Sequence, residues 1–139
     1  ETWDSESLKI TGRSRNETLC FPKPEVTIRK FYHWLVSLSE QPLVFVSDNN
    51  GFDWQFSNYY FQAFNNLTNP FGHSSRRIGD LYAGLRRNFR APNREWHKLR
   101  VTRHTHDPVM DARGNAEALL AMCDRQGIVI PGVAPLPKT

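Results

Sequence analysis

The chain has little cysteine, no long apolar run and no repetition. Its two cysteines, Cys20 and Cys123, stand far apart and form no Cys-x-x-Cys pair. That excludes a thiolate metal pair and leaves two free thiols, as expected in a reducing cytoplasmic compartment. No apolar run approaches the length of a membrane span and no signal peptide is visible, so no membrane partner is expected. Internal repeats and low-complexity tracts are absent, which excludes a solenoid or a biased linker. Acidic residues are the minority, 14 against 18 Lys and Arg, for a net charge of +4 and a pI near 9.3. This balance favours a polyanionic partner such as nucleic acid, and it also fits a plain basic soluble protein. The chain opens on Glu1 rather than Met, as a processed chain or a fragment does. Asn16-Glu17-Thr18 and Asn66-Leu67-Thr68 match the glycosylation tripeptide, a pattern common by chance.

What is present suits one globular domain. The 139 residues are enough to bury a core, and nine Phe, four Tyr and four Trp fill a core with few side chains. We expect a single domain over residues 1–131 and a Pro-rich tail over 132–139. Residues 1–24 read as irregular, with turn signals at Thr11-Gly12 and Pro22-Lys23-Pro24. Val26, Ile28, Phe31, Trp34, Leu35 and Leu38 then recur at helical spacing over 25–39, behind Glu25 at the positive end of the dipole.

Gln41-Pro42 breaks that helix, and Leu43-Val44-Phe45-Val46 is an apolar run suited to a strand buried on both faces. A turn cluster at 47–51 follows. Phe52, Phe56, Tyr60 and Phe64 step by four, which predicts a second helix over 52–65 with this stripe in the core. Residues 78–85 suit a strand leading into a helical turn, and 86–106 a long basic loop with one helical turn. Ala112, Ala116, Leu119, Leu120 and Met122 form the inner face of a last helix over 109–125, with Gly127 as its C-terminal cap. Ile128-Val129-Ile130 is expected as a last strand. The order is that of α/β layering, although one clear strand is too little for a sheet.

Two constellations carry chemistry. In the first, the apolar strand delivers Asp48-Asn49-Asn50-Gly51-Phe52-Asp53. An acid there sits at the carboxyl end of a buried strand, where ligands bind in open α/β sheets, and carboxylates are the usual ligands of magnesium or manganese. Asp53 equally serves a helix N-terminus. In the second, His106 precedes Asp111 by five residues at the start of the last helix. The spacing can bring both groups to one mouth, with a histidine suited to general-base work and an acid able to hold a metal. The plain alternative is a loop histidine and a helix-start acid.

Taken in order, these motifs resemble the second and third motifs of the DEDDh 3′–5′ exonucleases, which include RNase T and the proofreading domains. Residues 8–19, Leu-Lys-Ile-Thr-Gly-Arg-Ser-Arg-Asn-Glu-Thr-Leu, resemble the family's Ile-Thr-Gly-Ile-Thr segment. The resemblance covers roughly residues 8–125. It implies an RNase H-like α/β fold with a mixed central sheet flanked by helices. It also implies Asp53 and Asp111 as metal ligands, His106 as the general base, and two Mg2+ or Mn2+ ions. Asn49 matches the polar position before Phe-Asp, with a role toward substrate or in the turn, and Phe52 is expected in the core. The family's Asp-x-Glu motif has no match. Asp4-Ser5-Glu6 has the spacing, but no apolar strand leads into it, so the first strands of the sheet are expected to be missing from this chain.

From Arg76 to Arg103 lie Arg76, Arg77, Arg86, Arg87, Arg90, Arg94, Lys98, Arg100 and Arg103, interleaved with Phe89 and Trp96. Such a mixture suits phosphate contacts and base stacking on a single strand or a 3′ overhang. Arg76, Arg77, Arg100 and Arg103 are its candidate contacts, and the alternative is a solvated, salt-bridged loop. The expected function is metal-dependent removal of nucleotides from a 3′ end, DNA or RNA. The alternatives are a non-catalytic nucleic-acid-binding relative and a subunit, a homo-oligomer being one such assembly, whose sheet another chain completes.

Overall fold

A computed structural model describes residues 4–66 and 68–133. Leu67 of the second Asn-x-Thr tripeptide and the tail from residue 134 lie outside the described residues. The irregular segment expected before residue 24 is instead two short helices, α1 (Ser5–Thr11) and α2 (Arg15–Leu19). Asp4 caps α1 by accepting from Glu6 N at 3.0 Å, and Gly12 ends it in the left-handed region at φ 68°. Asp4 and Glu6 therefore serve a helix start, with Glu6 paired to Lys9 one turn on. A capping box opens α2: Glu17 N donates to Ser14 Oγ, and Ser14 N donates to Glu17 Oε2 at 2.7 Å. Helices of seven and five residues carry too few apolar positions to show a period.

Next come α3 (Pro24–Leu38), β1 (Phe45–Ser47), α4 (Asn50–Phe64) and β2 (Ser75–Arg77). They lead into α5 (Ile78–Leu85), α6 (Asn93–His97) and α7 (Pro108–Arg125). The strands pair in parallel, Phe45 opposite Ser75 and Ser47 opposite Arg77. This α/β arrangement agrees with the expected layering at the coarse level. Residues 128–130 form no strand; Gly127 turns the chain at φ 63°, and Ile128 N closes the helix end on Cys123 O at 2.8 Å. That turn leaves the apolar triplet on the rim of a groove of about 900 Å³, beside Leu38, Val44, Val46 and Leu119.

Two cores hold the molecule. Ile78, Trp96, Ala118 and Met122 are buried together between α5, α6 and α7, with Tyr82, Leu85 and Leu99 against them. A second, aromatic core joins α3, α4 and β1. Phe61 is fully buried and lies 5.7 Å from Phe31 and 5.9 Å from Phe71, while Phe45 meets Trp54 at 5.3 Å.

The stripe expected in the core points the other way. Phe52, Phe56 and Tyr60 are exposed, and Phe52 stacks edge-on against Phe56 at 4.9 Å. The helix buries Phe61 instead, one position round from Tyr60. On α3, Val26, Phe31, Trp34 and Leu38 are likewise exposed, and Leu35 is buried. Val44 and Val46 leave one face of β1 open, so the strand is covered on one face rather than two. The accessible surface is 10888 Å². A compact monomer of this mass exposes roughly 7,400 Å², and these apolar side chains supply part of the difference. Among the described residues no helix is long and apolar enough to cross a membrane.

Candidate active site

The segment 98–107 runs from α6 to α7 without regular structure, and its position is set by α7. Glu117, just under one turn beyond Gly114 on that helix, accepts from Val101 N at 3.0 Å, Thr102 N at 2.6 Å and Thr102 Oγ1 at 2.8 Å. These hydrogen bonds, led by the Thr102 backbone, hold the Glu117 carboxyl below the ordinary carboxylate range. Gly114 allows the approach: a Cβ there would lie 2.8 Å from the Thr102 carbonyl oxygen.

The anchored segment then delivers two histidines to the start of α7. Asp107 is the N-cap, its Oδ1 accepting from Val109 N at 3.0 Å and Met110 N at 2.9 Å, and Pro108 occupies the first turn. Asp111 follows in that turn. Its Oδ1 accepts from Thr105 N at 2.9 Å and meets His104 Nδ1 at 2.9 Å. His106 adopts φ 64°, unusual outside glycine, and its ring lies edge-on to His104 at 4.6 Å between centroids. Donor atoms of His104, His106 and Asp111 all lie within 4.8 Å of one another. The structure thus gathers His106 and Asp111 and adds His104, which the sequence reading missed. His-Thr-His, with two imidazoles in three residues, was the signal that could have found it.

A second polar knot lies at the carboxyl end of β1. Asp48 Oδ2 accepts from Arg100 at 3.1 Å and meets His97 Nε2 at 3.1 Å, while Arg77 Nε donates to the Asp48 carbonyl. Arg100 also donates to Asn115 Oδ1 and lies over the Trp96 ring at 4.9 Å. Burial, and then the Arg100 charge, hold the His97 imidazole below its ordinary value; the Asp48 carboxylate opposes them and His104 adds to them.

The other candidates divide between surface and interior. Asp53 is half-buried in the first turn of α4 and enters neither the Asp48 knot nor the His104–His106–Asp111 group. Asn49 is the N-cap of α4, where its carbonyl, not its side chain, accepts from Phe52 N and Asp53 N. Arg76 and Arg103 are exposed and open to a polyanion. Arg100 is not: its side chain is 11% exposed and its guanidinium is taken up by Asp48 and Asn115. Arg77 is shared between Asp48 and Asp80. Trp96 is fully buried, whereas Phe89 is 99% exposed among the exposed Arg86, Arg87 and Arg90. Only the second of these aromatics is available to a base.

A mixed His2Asp donor set does not by itself fit a two-ion magnesium site. Magnesium takes oxygen ligands in near-octahedral geometry, and the group supplies one carboxylate.

No family model matches the sequence. Among curated proteins the chain is similar to the 3'-5' DNA exonuclease Cap18 of Escherichia coli, with 34% identity over 94 residues. The match covers 63% of this chain and 50% of that protein, so the chain spans about half the length of the relative.

Proposed function

We propose that this chain carries part of the active site of a metal-dependent 3′–5′ exonuclease, acting on single-stranded ends. The observation that carries this reading is the convergence of His106 and Asp111 at the start of α7, in a chain partly similar to a named 3′–5′ DNA exonuclease. That name favours DNA as the substrate. The DEDDh class is the finer part of the proposal and rests on the order of the motifs.

In this reading His106, which is exposed, takes the proton from the water that attacks the terminal phosphodiester. Thr105 N and His104 hold one oxygen of Asp111, which orients the carboxylate. Two Mg2+ or Mn2+ ions are the cofactors the reading requires; they would supply activation of the water and stabilisation of the leaving oxygen. Asp53 and Asp111 are their proposed carboxylates, and the further acidic ligands such a site needs would come from another segment or a partner chain. The strand approaches over the exposed Arg76 and Arg103, and Phe89 offers a ring for stacking.

The test is manganese-dependent digestion of 3′-extended single-stranded DNA and RNA by this chain and by His106→Ala and Asp111→Asn. Stepwise shortening, reduced by about 10²–10⁴-fold in His106→Ala and lost in Asp111→Asn, is the expected result. Equal shortening by all three chains would remove both residues from the chemistry. Binding without shortening would leave a non-catalytic nucleic-acid-binding chain. The exposed apolar side chains of α3 and α4 favour a second reading, a subunit completed by another chain or segment.

A further inference from the structure

We propose that His104, His106 and Asp111 form a binding site for a borderline transition-metal ion, zinc above all, and that zinc there blocks the base role of His106. The blocking step rests on the exonuclease reading; the ion site does not.

The donor set decides the class of ion. Two imidazoles and a carboxylate suit zinc and its neighbours, whereas magnesium and calcium want oxygen alone. Three protein ligands also leave a fourth position open for water or another group. The geometry is nearly in place. Tetrahedral donors at zinc bond lengths stand roughly 3.3–3.5 Å apart, and the three donors here lie within 4.8 Å of one another. Both histidines are exposed, so rotation of their side chains closes that gap. The backbone need not move, because Glu117 and the close approach at Gly114 fix the segment before His104, and the Asp107 cap fixes the helix after it. The His106 ring already lies against that of His104, 4.6 Å between centroids.

Competition follows from the ring chemistry. A neutral imidazole has one nitrogen lone pair able to accept a proton or a metal. While zinc holds that pair on His106, the ring cannot take a proton from water. Zinc binding also breaks the His104–Asp111 contact, so it removes the support of Asp111 at the same time.

The experiment uses the full chain with Cys20→Ser, which removes an exposed thiol able to compete for zinc. Zinc affinity is measured by competition with a chromophoric chelator, and cobalt loading by its visible d–d absorption. One ion per chain is expected. His104→Gln, His106→Gln and Asp111→Asn should each weaken it at least about tenfold. Circular dichroism checks that each variant folds, and His104→Ala replaces His104→Gln if that one does not. No uptake, or affinity unchanged in the variants, overturns the site. Zinc should then inhibit 3′ shortening with half-effect near its dissociation constant. Full activity of the zinc-loaded chain overturns the competition. Failure of the chain to shorten any strand overturns the exonuclease reading, while the titration still decides the site.

Discussion

His97 shows how one side chain can be read only with its neighbours. In the sequence it is a histidine in a basic stretch. In the fold it lies between Asp48 and Arg100, and burial followed by the Arg100 charge keeps its pKa below the ordinary 6.5. An unfolded chain therefore binds a proton here at a pH where the folded chain does not. Stability should fall as pH drops from about 7 through the ordinary histidine range, and level off below the lowered folded value. His97→Gln keeps a donor for Asp48 and removes the titration. Urea unfolding across this range should show a shallower pH dependence in the variant than in the wild type; identical slopes would mean that the other histidines carry it. Arg100 makes the same point. Its charge sits in a run that reads as a phosphate-binding loop, yet Asp48 lies 52 residues away in sequence and claims it. No local signal marks that pairing.

Among the elements, α7 does the most to build the candidate site. Its start and its C-terminal Gly127 were legible, because eighteen residues give the apolar period room to repeat, but its inner face was only partly so: Ala112 and Ala116 are exposed, and Gly114, Ala118, Met122 and Cys123 are buried. The segment before it read as loop, and it is largely that, with α6 as its helical turn. What the period could not show is that Gly114 and Glu117 clamp the segment onto the helix. Gly114→Ala tests the clamp. Its methyl group meets the Thr102 backbone carbonyl, so the segment has to shift, at a cost of about 1–3 kcal/mol. The unfolding midpoint should fall and the His104 and His106 imidazole resonances should move together. An unchanged midpoint would mean that the segment yields freely and that the site has no rigid support. On α4 the period was right and its phase was wrong. Both the Phe52 stripe and the Trp54–Phe61 side recur at helical spacing, and only the packing partner selects between them.

For the whole molecule, the exposed surface is the main fact. It exceeds that of a compact monomer of this mass, and α3, α4 and β1 each leave apolar side chains open. Such patches mark interaction surfaces. We expect the chain to self-associate increasingly as its concentration rises. Phe52→Gln with Phe56→Gln should lower that association in sedimentation equilibrium and leave the unfolding midpoint where it was. A large drop in the midpoint would instead place the two rings in a core. Similarity to the E. coli exonuclease spans half of that protein, and the surface is open on one face of β1, the strand expected to be buried on both.

By itself the sequence determined the long helices α3, α4 and α7, the strand β1 between the first two, and the placing of His106 and Asp111 near the start of α7. All of these depend on spacing within a few residues along one chain segment, where helical geometry relates neighbours directly. Only the tertiary structure decided which face of α4 is buried, that Arg100 and Trp96 belong to the interior, and that His104 joins the candidate site. Each of these turns on contacts between residues distant in sequence or on the path of an irregular segment, and neither leaves a period to read.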